Sequence, residues 1–202
     1  MVRKRKIFDY DEPVSVECGY YIISCYFKEG NAKISEYPKL SPPLDNWMKG
    51  TKIDLDEEAV LQYEIMEDET GTMRPFYNFA IPLFEHKIVK ILEDKGVDNI
   101  QFYHAIITDL SNGSKVSDYC SFNIIGLISL MDEENSEYSR LGFGDTKFIE
   151  RLAILKSNAN GLKVFRLREA PHAIFVHESI RGALEEGGVK GITFENPVGW
   201  SG

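Results

Sequence analysis

A fifteen-residue phrase occurs twice in this chain, and its second copy constrains the fold more than any other feature. Ile88–Phe102 (IVKILEDKGVDNIQF) laid on Ile180–Phe194 (IRGALEEGGVKGITF), 92 residues downstream, gives seven identities without a gap: Ile88/Ile180, Leu92/Leu184, Glu93/Glu185, Gly96/Gly188, Val97/Val189, Ile100/Ile192 and Phe102/Phe194. In the second copy Ile180, Ala183 and Leu184 share one helical stripe while Arg181, Glu185 and Glu186 point elsewhere, so the spacing predicts a helix over Glu178–Glu186. Gly187-Gly188 ends it, because glycine takes the left-handed conformation that helix ends favour. A strand follows at Gly191–Phe194. Ahead of the helix, Leu162–Leu167 and Ala173–Val176 read as strands whose apolar runs suit the middle of a sheet. Two readings of the repetition stay open. Residues 73–102 and 165–194 are related halves framing a groove, or they are ordinary helix-glycine-strand units with the same packing needs. Either way two like units are implied.

The remaining segments add strands faster than helices. Gly19–Phe27 is rich in β-branched and aromatic residues and predicts a buried strand. In Ala59–Met66, Leu61, Tyr63 and Ile65 alternate with Gln62 and Glu64, the period of a half-buried strand. Phe76–Pro82 predicts another strand, leading through Pro82 into a helix over Phe84–Lys95. Ile100–Thr108 is a strand, Ser111–Ser114 a tight turn, Tyr119–Leu130 an apolar stretch, 132–146 an acidic loop and Phe148–Leu155 a strand before the Asn158–Gly161 turn. Glu29–Lys52 is turn-like around Ser41-Pro42-Pro43, with Trp47 expected to plug the loop onto the core. Residues 1–18 read as a polar tail, leaving 19–202 as one domain. The class expected is α+β: a mixed, mostly antiparallel sheet with few helices and two related helix-Gly-strand units.

Charge narrows the partners. The net charge is −9, but Arg3, Lys4, Arg5 and Lys6 form a basic tip, and without them 19 basic residues face 32 acidic ones, a balance of −13. An acidic body disfavours nucleic acid and favours a basic partner through steering that weakens with salt. No apolar run approaches a membrane span and no signal-peptide core is present, which points to an intracellular protein with no membrane association. Cys18, Cys25 and Cys120 are an odd number without close metal-type pairing, as expected of free thiols in a reducing compartment.

Little in the residues suggests catalysis or a cofactor. Gly142-Phe143-Gly144 lacks the rest of a nucleotide fingerprint, and no G-x-S-x-G elbow exists. Of His86, His104, His172 and His177, the last two are nearest in sequence, yet a five-residue step along a strand sends them to opposite faces, which is wrong for one metal. His177, beside Glu178 at a strand-to-helix junction, suits capping or packing. Cys120 suits a buried strand position. Arg166, on a central strand, is expected to meet a carboxylate within the fold. No catalytic residue, metal or cofactor is therefore assigned.

Trp47–Gly50 (WMKG), Gly96–Ala105 (GVDNIQFYHA), Asp118–Asp132 (DYCSFNIIGLISLMD), Val164–Leu167 (VFRL) and Ile174–Phe194 together resemble the immunity proteins encoded beside toxins of bacterial polymorphic toxin systems, a family first catalogued as a domain of unknown function. The likeness covers about residues 40–196. It implies an α+β fold and a cytoplasmic antitoxin that binds and blocks a cognate toxin or effector without catalysis. On that reading the expected partner-binding residues are the acidic Asp54, Asp56, Glu57, Asp132, Glu133, Glu134 and Glu137, with Trp47 or Trp200 as aromatic anchor. Two other classes remain as alternatives. A small hydrolase-like enzyme would need a cleft joining two or more of His104, His172, His177, Cys120 and Asp145, and a non-toxin interaction module or homodimer would need a symmetric contact.

Overall fold

The computed structural model describes residues 19–40, 47–56, 58–140, 146–155 and 159–202. The polar tail 1–18, Ser41-Pro42-Pro43, Glu57, the Gly142–Gly144 segment, Asp145 and Asn158 lie outside them.

The recurring phrase builds two units of the same topology. In the first, β3 (Phe76–Tyr77) and β4 (Leu83–Glu85) form an antiparallel hairpin, followed by α1 (His86–Asp94) and β5 (Ile100–Asp109). In the second, β10 (Val164–Leu167) and β11 (Ile174–His177) form the hairpin, followed by α2 (Glu178–Glu186) and β12 (Thr193–Glu195). Each helix connects two strands that leave room for a third between them. β6 (Lys115–Ile124) fills the first gap, antiparallel to β4 and β5. β1 (Tyr20–Ser24) fills the second, antiparallel to β11 and β12. The registers correspond as well: Phe102 sits opposite Phe122, and its counterpart Phe194 opposite Ile23.

The helix ends explain most of the shared residues. Val97 N–H bonds to Leu92 O at 3.0 Å and Gly96 N–H to Glu93 O at 2.8 Å; Val189 N–H bonds to Leu184 O at 3.0 Å and Gly188 N–H to Glu185 O at 2.9 Å. This paired arrangement, with glycine at φ +67° in Gly96 and +68° in Gly188, closes the last helical turn and satisfies carbonyls that the helix leaves open. Ile88 and Ile180, Leu92 and Leu184, and Val97 are buried in one central core, where Val189 and the strand residues Ile100, Ile192, Phe102 and Phe194 also pack.

Two five-stranded sheets result, in the orders β2-β5-β6-β4-β3 and β12-β1-β11-β10-β7, with β2 at Val60–Ile65 and β7 at Leu127–Ile128. Pairing is antiparallel except for β2 with β5 and β7 with β10. The central core joins the helix-bearing faces of both sheets, with Phe76, Phe84 and Phe122 from one and Ile23, Val164, Ile174 and Val176 from the other. Each outer face has its own cover. Ala32, Ile34, Trp47 and Ile53 seal the first sheet against Tyr63, Tyr77, Leu83 and Tyr103. Leu130, Met131, Ile149, Leu152 and Ile154 seal the second against Tyr20, Ile22, Phe165 and Phe175. Burial on both faces is why β10 and β11 read as continuous apolar runs.

Several boundaries differ from the sequence reading. Phe76–Pro82 is not one strand: it turns back after Tyr77, and α1 begins at His86, because Leu83 and Phe84 pair with β6 and the Phe84 ring stacks on Phe122 at 3.8 Å. Tyr119–Leu130 divides at Gly126, where φ is +154°; residues before it belong to the first sheet and Leu127–Ile128 cross to the second. The acidic loop over 132–146 contains a strand, β8 (Glu137–Arg140), paired with β9 (Lys147–Arg151). Residues 199–202 line the other side of β9 through Ile149 N–H to Gly202 O at 3.0 Å and Gly202 N–H to Ile149 O at 2.9 Å.

Candidate partner interface

The β2–β5 pair is covered by apolar packing on one side. Its parallel register runs from Val60 opposite His104 to Ile65 opposite Asp109. Leu61, Tyr63, Ile65, Tyr103, Ala105 and Ile107 face the outer core. Because strand residues alternate between faces, Val60, Gln62 and Glu64 share the other side with His104, Ile106 and Thr108. There α1 packs over β4 and β6, and Val60, Gln62 and His104 stay exposed. Met66 and Leu110 stand exposed just past the ends of the two strands, where Leu110 N–H bonds to Ile65 O at 2.9 Å.

The predicted acidic residues fall into two places. Asp54 and Asp56 lie exposed on the segment entering β2, and Asp56 Oδ1 accepts from Glu58 N–H at 2.9 Å, fixing the turn into the strand. Asp132, Glu133, Glu134 and Glu137 belong to the cover of the second sheet. Asp132 holds its own turn, accepting from Asn135 Nδ2 at 2.7 Å and from the Glu134 and Asn135 N–H groups, and the Asn135 side chain foremost keeps its carboxyl below the ordinary range. Glu133 accepts from Lys147 Nζ and from Tyr138 Oη, and the lysine likewise lowers its carboxyl. Glu134 and Glu137 are exposed. Trp47 is not available as an anchor: it is 0% exposed, with its ring edge-on to Tyr103 at 5.6 Å, so its loop-plugging role is the one the structure supports. Trp200 is half-buried, its ring 5.8 Å from that of His172.

The remaining chemistry-bearing residues are distributed as follows. His177 caps α2, its Nδ1 accepting from Ser179 N–H at 3.2 Å and lying 2.9 Å from Ser179 Oγ. His86 Nδ1 lies 3.1 Å from Asp118 Oδ1, and its ring stacks on His104 at 5.9 Å. His104 stands in register with Cys120, but burial, with the charges of Glu93 and Asp118, pushes that thiol up to about 11, away from the thiolate a nucleophile needs. Arg166 does not meet a carboxylate among the described residues. Its Nη1 donates to Pro171 O at 2.7 Å, and burial lowers its pKa to about 10. No group of three or more His, Cys, Asp or Glu among the described residues has the arrangement to hold a metal ion. No helix among them is long and apolar enough to cross a membrane.

A family model described as "Immunity protein family (Imm11)" matches residues 19–198. The chain belongs to the Imm11 immunity protein family. The Imm11 match takes in both sheets, both helices and every acidic candidate, and stops short of Trp200. Comparison with curated proteins returns no match.

Proposed function

We propose that the protein is an antitoxin of a bacterial polymorphic toxin system, acting in the cytoplasm by binding a cognate toxin or effector and blocking its working surface, with no chemistry of its own. Membership of the Imm11 family across residues 19–198 carries this reading. The acidic body supports a basic partner, since complementary charge speeds encounter and rejects wrong partners. Occlusion of this kind takes a patch of roughly 800 Å² on each partner, with anchors inside a charged rim. The acidic turns at Asp54 and Asp56 and at Glu134 and Glu137 are rim candidates by exposure and charge.

The test is co-purification with the product of the adjoining toxin gene, at low and at high salt, together with the toxin's activity in the mixture. A complex that weakens with salt and silences the toxin is expected. No complex at either salt, or a complex that leaves the toxin fully active, removes the proposal.

A further inference from the structure

We propose that the uncovered face of the β2–β5 pair is the toxin-docking surface, a mixed face with apolar side chains at its ends and acidic residues around it, which takes a basic surface that also offers apolar contacts. The inference rests on the immunity reading above and adds to it the place and chemistry of contact.

Parallel strands are normally covered on both faces, because their crossovers lay other elements against them. Here Ala32, Ile34, Trp47 and Ile53 close one side, and the other presents Val60 (43% exposed), Met66 (43%) and Leu110 (39%), with Ile106 half-buried between them. Those three are among seven large exposed apolar side chains in the described residues. Tyr26 and Phe27 are engaged within the molecule: Tyr26 Oη donates to Glu195 at 2.8 Å, and the Phe27 ring lies under Lys33 and Arg74 at 5.5 and 5.7 Å. Phe148 and Leu155 belong to the cover of the second sheet. The uncovered face of β2–β5 thus carries exposed apolar side chains at both ends, Val60 at one and Met66 with Leu110 just past the other, without a covering element.

Its frame identifies the partner. Asp56 and Glu58 stand where the chain enters β2, Glu64 lies on the face, and Glu67 and Asp68 follow Met66; Lys115, opposite Thr108, is a cation in register with β5. A second copy of this chain would set those carboxylates against their own kind, whereas a basic toxin surface meets them with opposite charge. Contact is through the face and not by strand addition at the edge, since Glu64 already exchanges backbone hydrogen bonds with Glu36 at 3.2 and 3.3 Å.

Calorimetry of the full chain with the adjoining toxin gene's product tests the assignment. Val60→Arg with Met66→Arg brings like charge and bulk to the contact and is expected to weaken binding on the order of a hundredfold, against roughly tenfold for Val60→Ser with Met66→Ser. Phe148→Ser, an equally open site on β9, leaves binding unchanged. Melting curves identify a variant that fails to fold, and the serine pair then decides. Wild-type affinity in the serine pair sinks the docking face while leaving the immunity reading intact. Absence of binding by the wild-type chain sinks both. Sedimentation showing a dimer that the arginine pair dissolves assigns the face to a second copy and also overturns the proposal.

Discussion

Trp47 is tied to the first sheet: its indole is enclosed by the outer core, against Tyr103. Three residues on, Gly50 holds φ +68°, and a Cβ there would stand 2.7 Å from Leu127 Cβ and 2.9 Å from its backbone nitrogen. The WMKG motif is therefore a structural clamp, one end filling the core and the other letting two backbones approach. Trp47→Ala removes a fully buried aromatic and is expected to cost about 3–5 kcal/mol in urea unfolding, whereas a loss within about 1 kcal/mol means the loop does not seal the core. Trp47 was legible in the sequence because a lone tryptophan amid turn residues has little else to do. Arg166 was not: the expectation of a carboxylate partner followed from its charge, yet its pairing depends on where the β10–β11 turn places the Pro171 carbonyl.

Among elements, the two helices were the most legible, since stripe, stop and returning strand are local matters written within fifteen residues. All seven shared positions serve the stripe, the paired helix-stop bonds or the strand core, Glu93 and Glu185 through their backbone carbonyls alone, for the Glu185 side chain pairs with Arg181 at 2.9 Å while that of Glu93 lies exposed. Gly182 has no such duty. It lies inside α2 with nothing within 4 Å of a built Cβ, so Gly182→Ala is expected to stabilise the protein by roughly 0.5–1 kcal/mol, read as a higher melting temperature. A lower melting temperature would mean that α2 is more tightly packed there than its surroundings indicate. Less legible was β8, whose residues Glu-Tyr-Ser-Arg carry one apolar side chain and owe their conformation to β9. The hairpin β3–β4 looks in the sequence like a strand and an early helix start for the same reason: Phe84 fits a helical stripe, and it is β6, later along the chain, that claims it as a strand residue.

For the molecule as a whole, acid is the informative perturbation. His172 lies against Trp200; burial and then the charge of Arg166 hold its pKa below the ordinary 6.5. The folded state thus resists a proton that the unfolded chain accepts, so stability is complete above the unfolded value and falls as pH drops through 6.5 toward the folded one. Asp132 and Glu133, depressed from 3.8 and 4.5, add a second decline beginning near those values and running below them. Part of His172 stays open to solvent, so its step is modest. Urea midpoints that are level above about pH 7 and sag below it, with the first sag gone in His172→Gln, are expected; a first sag that persists in the variant assigns it to another group. The division of strands between two sheets was the part of the fold the sequence hid, because pairing between segments more than a hundred residues apart leaves no local pattern.

That division carries a temporal consequence. Ile23 finds its partner in Phe194, across most of the chain, while the neighbours of β6 are all made before it. During synthesis the strands of the first sheet are available long before β12, and β1 must wait, its aromatic and branched side chains unhoused, until β11 and β12 emerge. A chain ending short of residue 193 would be a half-finished molecule, with the strands of the sheet that bears the candidate contact all present and its companion lacking β12.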